Sequence, residues 1–251
     1  MKVLVIDVGG TNVKVHASSQ KEAVKFPSGP RMTPGKMVAG VKKLVTGWEY
    51  DVISIGLPGP FLLGELIGNP RNLGPGWVGF DFGAAFGAPV KLMNDAAMQA
   101  LGSYKGGKML FLGLGTGLGT ALVMNGIAES RELAHLPYKG RTYEDYMGAH
   151  ALKRLGRKVW QRHVHKAVNK LVQAIHPDDF VLGGGNVKRL KTLPKGCRRG
   201  SNANAFLGGF RLWQGTSLAT AAGPRILKIL PKKNTRGEMT PASPARTRRR
   251  S

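Results

Sequence analysis

The sequence predicts an α/β fold of two related lobes with a cleft between them. Two observations carry that expectation. Runs suited to strands buried on both faces alternate with helical stretches. Three of those strands end in glycine-rich loops, at Gly9, Gly113 and Gly183, and the second half partly repeats the first as strand, glycine turn, strand. In open α/β sheets ligands sit at the carboxyl ends of the strands. The glycine loops therefore mark the expected cleft.

Taken in order, Lys2–Ile6 reads as a buried strand, followed by a glycine turn and a second strand over Asn12–Ala17. Pro34–Thr46 places Met37, Val41, Leu44 and Val45 on one helical face. Val52–Ile55 is a short strand that must end in the loop Gly56-Leu57-Pro58-Gly59-Pro60. Pro89–Met93 is a strand that delivers Asn94 and Asp95 at its carboxyl end, and Ala96–Tyr104 follows as a helix. Met109–Leu112 and Thr120–Met124 are strands flanking the second glycine loop. Tyr143–Leu155 and Gln161–His176 read as helices, Phe180–Leu182 as a strand and Asn204–Trp213 as a helix. The expected division is an N-terminal lobe over 1–95, completed by a helix near 204–228, and a second lobe over 96–203. From about Pro231 the chain is rich in Pro, Thr, Ser and Arg without apolar period, so 231–251 is expected to be a disordered basic tail.

The 251 residues are 42% hydrophobic, which is enough for a core and excludes a wholly disordered chain. No apolar run approaches the roughly 18 residues of a membrane span. Val3–Ile6 is stopped by Asp7, so no signal peptide is expected, and the expected location is cytoplasmic. The single cysteine, Cys197, excludes an intrachain disulfide and a cysteine-rich zinc site. The net charge is +24, of which the tail from Lys232 carries +6, so the body is itself basic. Such a field concentrates anions: nucleotides, polyphosphate, nucleic acid or acidic surfaces.

Four motifs carry chemistry. In Asp7-Val8-Gly9-Gly10-Thr11-Asn12-Val13-Lys14 the glycines let backbone N–H groups approach a phosphate. Thr11 adds a hydroxyl, and Asp7 suits Mg²⁺ held through water. Gly113–Thr120 alternates glycines with apolar residues and Thr, and paired with the first loop it reads as a phosphate clamp. Asp95 at a strand end is placed to take a proton from a hydroxyl, or else to cap the helix that follows. Glu132, His135 and Glu144 can bind the vicinal hydroxyls of a sugar. His163 and His165 lie on a basic helix and read as surface residues.

Together with Gly183-Gly184-Gly185-Asn186, these motifs resemble, in order, the ROK family of repressors and sugar kinases, and most closely its polyphosphate glucokinase branch. The stretches His135–Tyr146 and Asn202–Trp213 carry the likeness to that branch, which runs from Lys2 to about Trp213. The resemblance implies the two-lobed actin/hexokinase-type (ribonuclease H-like) fold, Mg²⁺, a polyphosphate or ATP donor and a hexose acceptor, with glucose foremost. It implies that Asp95 is the catalytic base on the sugar 6-hydroxyl. Asn72, Asn94, Glu132, His135 and Glu144 would hold the sugar. Asp7, Gly9, Gly10, Thr11 and Lys14 would serve the Mg-phosphate end, with Gly115, Thr116 and Gly117 as the second phosphate loop. Gly184 and Gly185 would lie near a nucleotide's adenosine. Relatives are often dimers, so a homodimer is compatible.

The chain departs from the family pattern at Ala134, where Glu-x-Gly-His is usual, and an alanine there would be strained if the backbone needs positive φ. The family's Cys-x-Cys-Gly zinc motif is absent, as in the polyphosphate branch, and no helix-turn-helix precedes Asp7. The competing readings are an ATP-only kinase for another sugar, and a non-catalytic binder of polyanions or nucleic acid through the basic tail.

Overall fold

A computed structural model describes residues 1–62 and 64–214, which belong to one compact unit spanning Met1–Thr216. The expected tail, and the part of the expected 204–228 helix beyond residue 214, lie outside the described residues. The chain opens with β1 (Val3–Val8), β2 (Asn12–Ala17) and β3 (Val24–Pro27), then α1 (Pro34–Leu44) and β4 (Val52–Leu57). A small hairpin, β5 (Phe61–Leu62) and β6 (Glu65–Leu66), and a short helix, α2 (Phe82–Phe86), precede β7 (Val90–Asn94). Then come α3 (Asp95–Ser103), β8 (Met109–Leu114), β9 (Leu118–Met124) and β10 (Ile127–Ser130). A second small hairpin, β11 (Pro137–Tyr138) and β12 (Arg141–Thr142), leads to α4 (Glu144–Met147) and the long α5 (Ala149–Ile175). The described part closes with β13 (Asp179–Gly183), β14 (Cys197–Arg199) and α6 (Asn204–Arg211).

Two five-stranded sheets share one plan. The first runs β3-β2-β1-β4-β7 and the second β10-β9-β8-β13-β14. In each, the central strand pairs on one side with two successive antiparallel strands and on the other with the first of two successive parallel strands. The sequence anticipated the echo of strand, glycine turn, strand. It missed the edge strands β3, β10 and β14, which are short and half-exposed and so lack a buried apolar run.

Alternation along β1 sorts the core. Leu4, Ile6 and Val8 face Val13, Val15, Met37, Val41, Trp77 and Phe82. Val3 and Val5 face the other way, onto Met98 and Ala205. Asp7 shares the parity of Val3 and Val5, so its carboxylate belongs to the face covered by α3. The second sheet is covered by α5, whose Trp160, Val164, Ala167, Val168 and Leu171 meet Leu110, Leu112 and Leu182.

Two helix boundaries differ from expectation. The expected helix over Tyr143–Leu155 divides at Gly148 into α4 and the start of α5. The expected gap between the two later helices shrinks to one break, at Gly156 (φ 71°, ψ 159°), inside α5. Glycine reaches that φ without the Cβ clash that would stop another residue. No described helix is long and apolar enough to cross a membrane.

Candidate active site

The first cluster forms where β1, β4 and β7 end. Asp7 lies opposite Lys14 in the β1–β2 pair, and the Lys14 ammonium donates to the buried Asp7 carboxylate at 2.8 Å. Lys14 is thus ion-paired to the carboxylate beside it, a pairing the sequence did not reveal. On its other side Asp7 faces Gly56 of β4, which in turn faces Met93 of β7. Gly56 has no side chain, and a methyl group there would collide with Met98 Cε and lie 3.5 Å from the Asp95 Cα. That vacancy lets the start of α3 sit over the sheet beside Asp7. Sequence inspection read Gly56 only as loop punctuation.

The choice between cap and base at the β7–α3 junction divides between two residues. Asn94 is the helix cap: its Oδ1 accepts from the Ala97 N–H at 3.1 Å, and its Nδ2 donates to the Gly59 carbonyl at 3.0 Å. Asp95 is the first helical residue, and its Oδ1 accepts the Ala96 N–H at 2.8 Å. Burial first, and the charge of Asp7 second, push the Asp95 carboxyl up to about 6, against the opposing pull of the Ala96 N–H and Lys14. A carboxyl poised near neutrality is suited to exchanging a proton with a substrate hydroxyl.

The first glycine turn, which holds Gly9, Gly10 and Thr11, closes through Gly9 N–H to the Asn12 carbonyl at 3.0 Å. Ser28 pins it from the side, donating its hydroxyl to the Gly9 carbonyl and its N–H to that of Thr11. A methyl group on Gly10 would lie 3.1 Å from the Asn72 Cβ, so the turn and exposed Asn72 are neighbours. Asn69, which sequence reasoning passed over, accepts the Trp77 N–H at 2.9 Å and fixes the segment that carries Asn72.

The second turn, with Gly115, Thr116 and Gly117, is fastened on three sides. The Gly115 carbonyl accepts from Asn186 Nδ2 at 3.0 Å, and the Thr116 carbonyl accepts the Ala149 N–H that opens α5 at 3.0 Å. Glu144 Oε2 accepts the Leu118 N–H at 2.9 Å, and its carboxylate lies against Gly117. Gly184 (φ 81°) presses on the Leu114 backbone, where an added methyl would meet it at 2.6 Å. Gly185 faces open space. The glycine run at 183–185 thus has a packing reason at Gly184 that the motif did not reveal. Asn186 closed the quoted motif but was given no role; the structure makes it a brace of the turn.

Glu132 and His135 form a third group. The Glu132 carboxylate and His135 Nδ1 are 3.1 Å apart, both half-exposed. Ala134 between them is buried in a single 3-10 turn over Leu133–His135 and is not among the residues with positive φ. The strain expected of an alanine there does not arise, because the segment turns by helical dihedrals. Thr120 ties this turn to β9: its hydroxyl donates to the Arg131 carbonyl and accepts the Leu133 N–H at 3.3 Å. β9 and α3 also touch, since a methyl on Gly119 would lie 2.6 Å from the Ala96 Cβ.

His163 and His165 are not plain surface residues. His163 Nδ1 is 3.1 Å from the Tyr138 hydroxyl, and His165 Nε2 is 3.1 Å from the Thr192 carbonyl. Cys197 is half-buried, and burial followed by Asp179 pushes its thiol up to about 12, which makes it unreactive.

No family model matches the chain. Polyphosphate glucokinase of Mycobacterium tuberculosis is 25% identical over 202 residues, covering 72% of this chain and 76% of that protein. The solved inorganic polyphosphate/ATP-glucomannokinase of an Arthrobacter species superposes with a TM-score of 0.70 at 24% identity, covering 82% of this chain and 96% of that one. A ROK family glucokinase from Streptomyces griseus, solved with glucose and AMPPNP, gives 0.69 at 15% identity over 86% of this chain and all of that one. The fold is that of the ROK sugar kinases. The Asp7–Lys14 turn and Asp95 sit at strand ends of the first sheet of this fold. The relatives named here are, by their names, kinases of sugars.

Proposed function

We propose that the protein is a hexose kinase that moves a phosphoryl group to the 6-hydroxyl of glucose, with polyphosphate as its preferred donor. One observation carries the reading. Asp95 is a half-buried carboxylate at a strand end, poised near neutrality beside the Asp7–Lys14 pair and the glycine turns.

In this reading Asp95 accepts the proton of the 6-hydroxyl as the hydroxyl oxygen attacks phosphorus. Asn72, Asn94, Glu132, His135 and Glu144 hold the remaining hydroxyls. Asn94 retains one amide proton and one lone pair for this after capping α3. The backbone N–H groups of the turns at Gly9–Thr11 and Gly115–Gly117 cradle the donor phosphates, with Lys14 neutralising charge. Phosphoryl transfer asks chiefly for such positioning and neutralisation. Asp7 fits a Mg²⁺–phosphate contact through water, since Mg²⁺ keeps most of its waters and needs only one or two carboxylates. When bound, the ion would shield the charge of the transferring group. The sheets, with the segments 1–95 and 96–203, would form the two walls of the cleft.

The donor preference rests on charge and space. The body remains strongly basic without its tail. A recess of about 430 Å³ lined by Ser28, Gly29, Arg31, Met32 and Lys36 adjoins the first turn through Ser28. A polyphosphate chain is long enough to continue into it from the turn. The ATP reading draws on the open space at Gly185.

A coupled glucose 6-phosphate assay with Mg²⁺ tests the proposal, with polyphosphate and ATP supplied separately at matched phosphoryl concentration. Turnover with polyphosphate that disappears in Asp95→Asn is the expected result. Turnover with ATP alone would overturn the donor assignment. Failure with both donors and several hexoses would overturn the kinase reading.

A further inference from the structure

The β11–β12 hairpin lies against α5 and leaves a groove of about 430 Å³ lined by Pro137, Tyr138, Lys139, Lys166, Asn169 and Lys170. Lys166 and Lys170 are one helical turn apart and so share a face of α5. Lys139 comes from the hairpin tip. None of the three lysines makes an ion pair among the described residues. The floor is rigid: Tyr138 is buried, stacks on Tyr143 with ring centres 5.0 Å apart, and reaches His163 through its hydroxyl.

The hairpin tip is an unusual place for a lysine. Its two-residue loop is Lys139-Gly140, both with positive φ (50° and 75°). Turns of this kind favour Asn, Asp or Gly at the first position. Lys139 is held in a left-handed conformation that disfavours its side chain, and that conformation puts it at the tip, across the groove from two unpaired lysines.

We propose that this groove is a second anion site, which takes the phosphate groups of a small phosphorylated or condensed-phosphate ligand. Three ammonium groups around an aromatic floor suit a multiply charged phosphate, and Asn169 adds an amide for its oxygens. None of the residues lining this groove is among those proposed for phosphoryl transfer. His163, beneath the groove, supplies a local reporter. It faces Tyr138 from the hairpin and Tyr146 from α4, and burial followed by Lys139, Lys166, Arg162 and Arg154 holds its imidazole below its usual range. An anion seated among those cations would raise it.

The test follows the His163 ring resonance by NMR across a pH titration of the full chain, identified by its loss in His163→Gln. Orthophosphate, glucose 6-phosphate and tripolyphosphate are added in separate arms. At least one probe is expected to raise the His163 midpoint, and Lys139→Ala/Lys166→Ala/Lys170→Ala is expected to weaken that response by about tenfold or more. The arm that responds at the lowest concentration identifies the source as free phosphate, product-like sugar phosphate or condensed phosphate. Asp95→Asn is expected to lose turnover and keep the response, and a response lost with Asp95 would place the anion in the cleft and overturn the proposal. So would a midpoint that no probe moves, or equal responses in the parent and the triple variant. Lys139→Asn suits the turn better, so it should raise Tm while weakening binding; unchanged binding would overturn the hairpin's part in the site.

Discussion

The two glycine turns end equivalent strand pairs in the two sheets, yet they are held by different means. The turn at Gly9–Thr11 is loosely braced, by one hydroxyl and one backbone bond from Ser28, and is surrounded by ionisable groups: Asp7, Lys14 and Asp95. The turn at Gly115–Gly117 is clamped by Asn186, Glu144 and the first N–H of α5, with Gly184 pressed against the strand behind it. One backbone plan thus yields a chemically active corner and a mechanically fixed one. Substitutions at the first should register in rates, and substitutions at the second in stability.

The sharpest separation should come from Asp95→Asn. Removing the proposed base is expected to lower kcat by about 10²–10⁴. The same change should raise stability at neutral pH by about 1–2 kcal/mol, because burial beside Asp7 disfavours the ionised carboxyl. The sign follows from proton binding. The carboxyl titrates near 3.8 in the unfolded chain and at about 6 in the folded one. Its destabilising effect is therefore absent below the first value, grows between them and is complete above the second. Urea melts of parent and variant at pH 4 and pH 7.5 measure it, and equal stability differences at both would contradict the account.

At the fixed turn, Gly184→Ala combines a left-handed backbone with a methyl 2.6 Å from the Leu114 backbone. It should destabilise the fold by about 2–4 kcal/mol. Denaturant midpoints test this, and a normal midpoint with lost activity would reverse the comparison. For the first corner, kcat/KM should fall by about tenfold per pH unit below the Asp95 midpoint near 6. A profile flat to pH 5 would remove Asp95 from the role of base. The smallest effect is expected at Gly10→Ala. Its methyl meets only the Asn72 side chain, at 3.1 Å, so stability should change by about 1 kcal/mol or less while KM for the sugar rises.

Much of this was legible in the sequence for a physical reason. Strands buried on both faces announce themselves as apolar runs, and the turns that join them need glycine, so β1, β4, β8 and β13 stood out with their loops. What pairs with what was not legible. The pairing of Lys14 with Asp7 was hidden because strand register, which sets the two opposite each other, is a long-range property. Asn94 and Asp95 could each be cap or base until the first helical residue was fixed in space. Glu144 gave no hint that it closes on a loop 26 residues earlier. His163 read as exposed because its partner, Tyr138, lies in a two-residue strand too short to carry a period.

The contact between α3 and α6 has a consequence for the order of events during synthesis. The two helices meet backbone to backbone at Gly102 and Gly208, with Gly209 set against Val5 and its carbonyl accepting the Ser54 hydroxyl at 2.6 Å. The segment that begins with Asp95 is thus seated by residues translated more than a hundred positions later. A nascent chain can assemble both sheets and still hold its central carboxylate on an unsupported helix until Asn204–Arg211 emerges. Domains fold as units while synthesis proceeds from the N-terminus. The seat of the helix that begins with Asp95 would therefore be completed late and in one step.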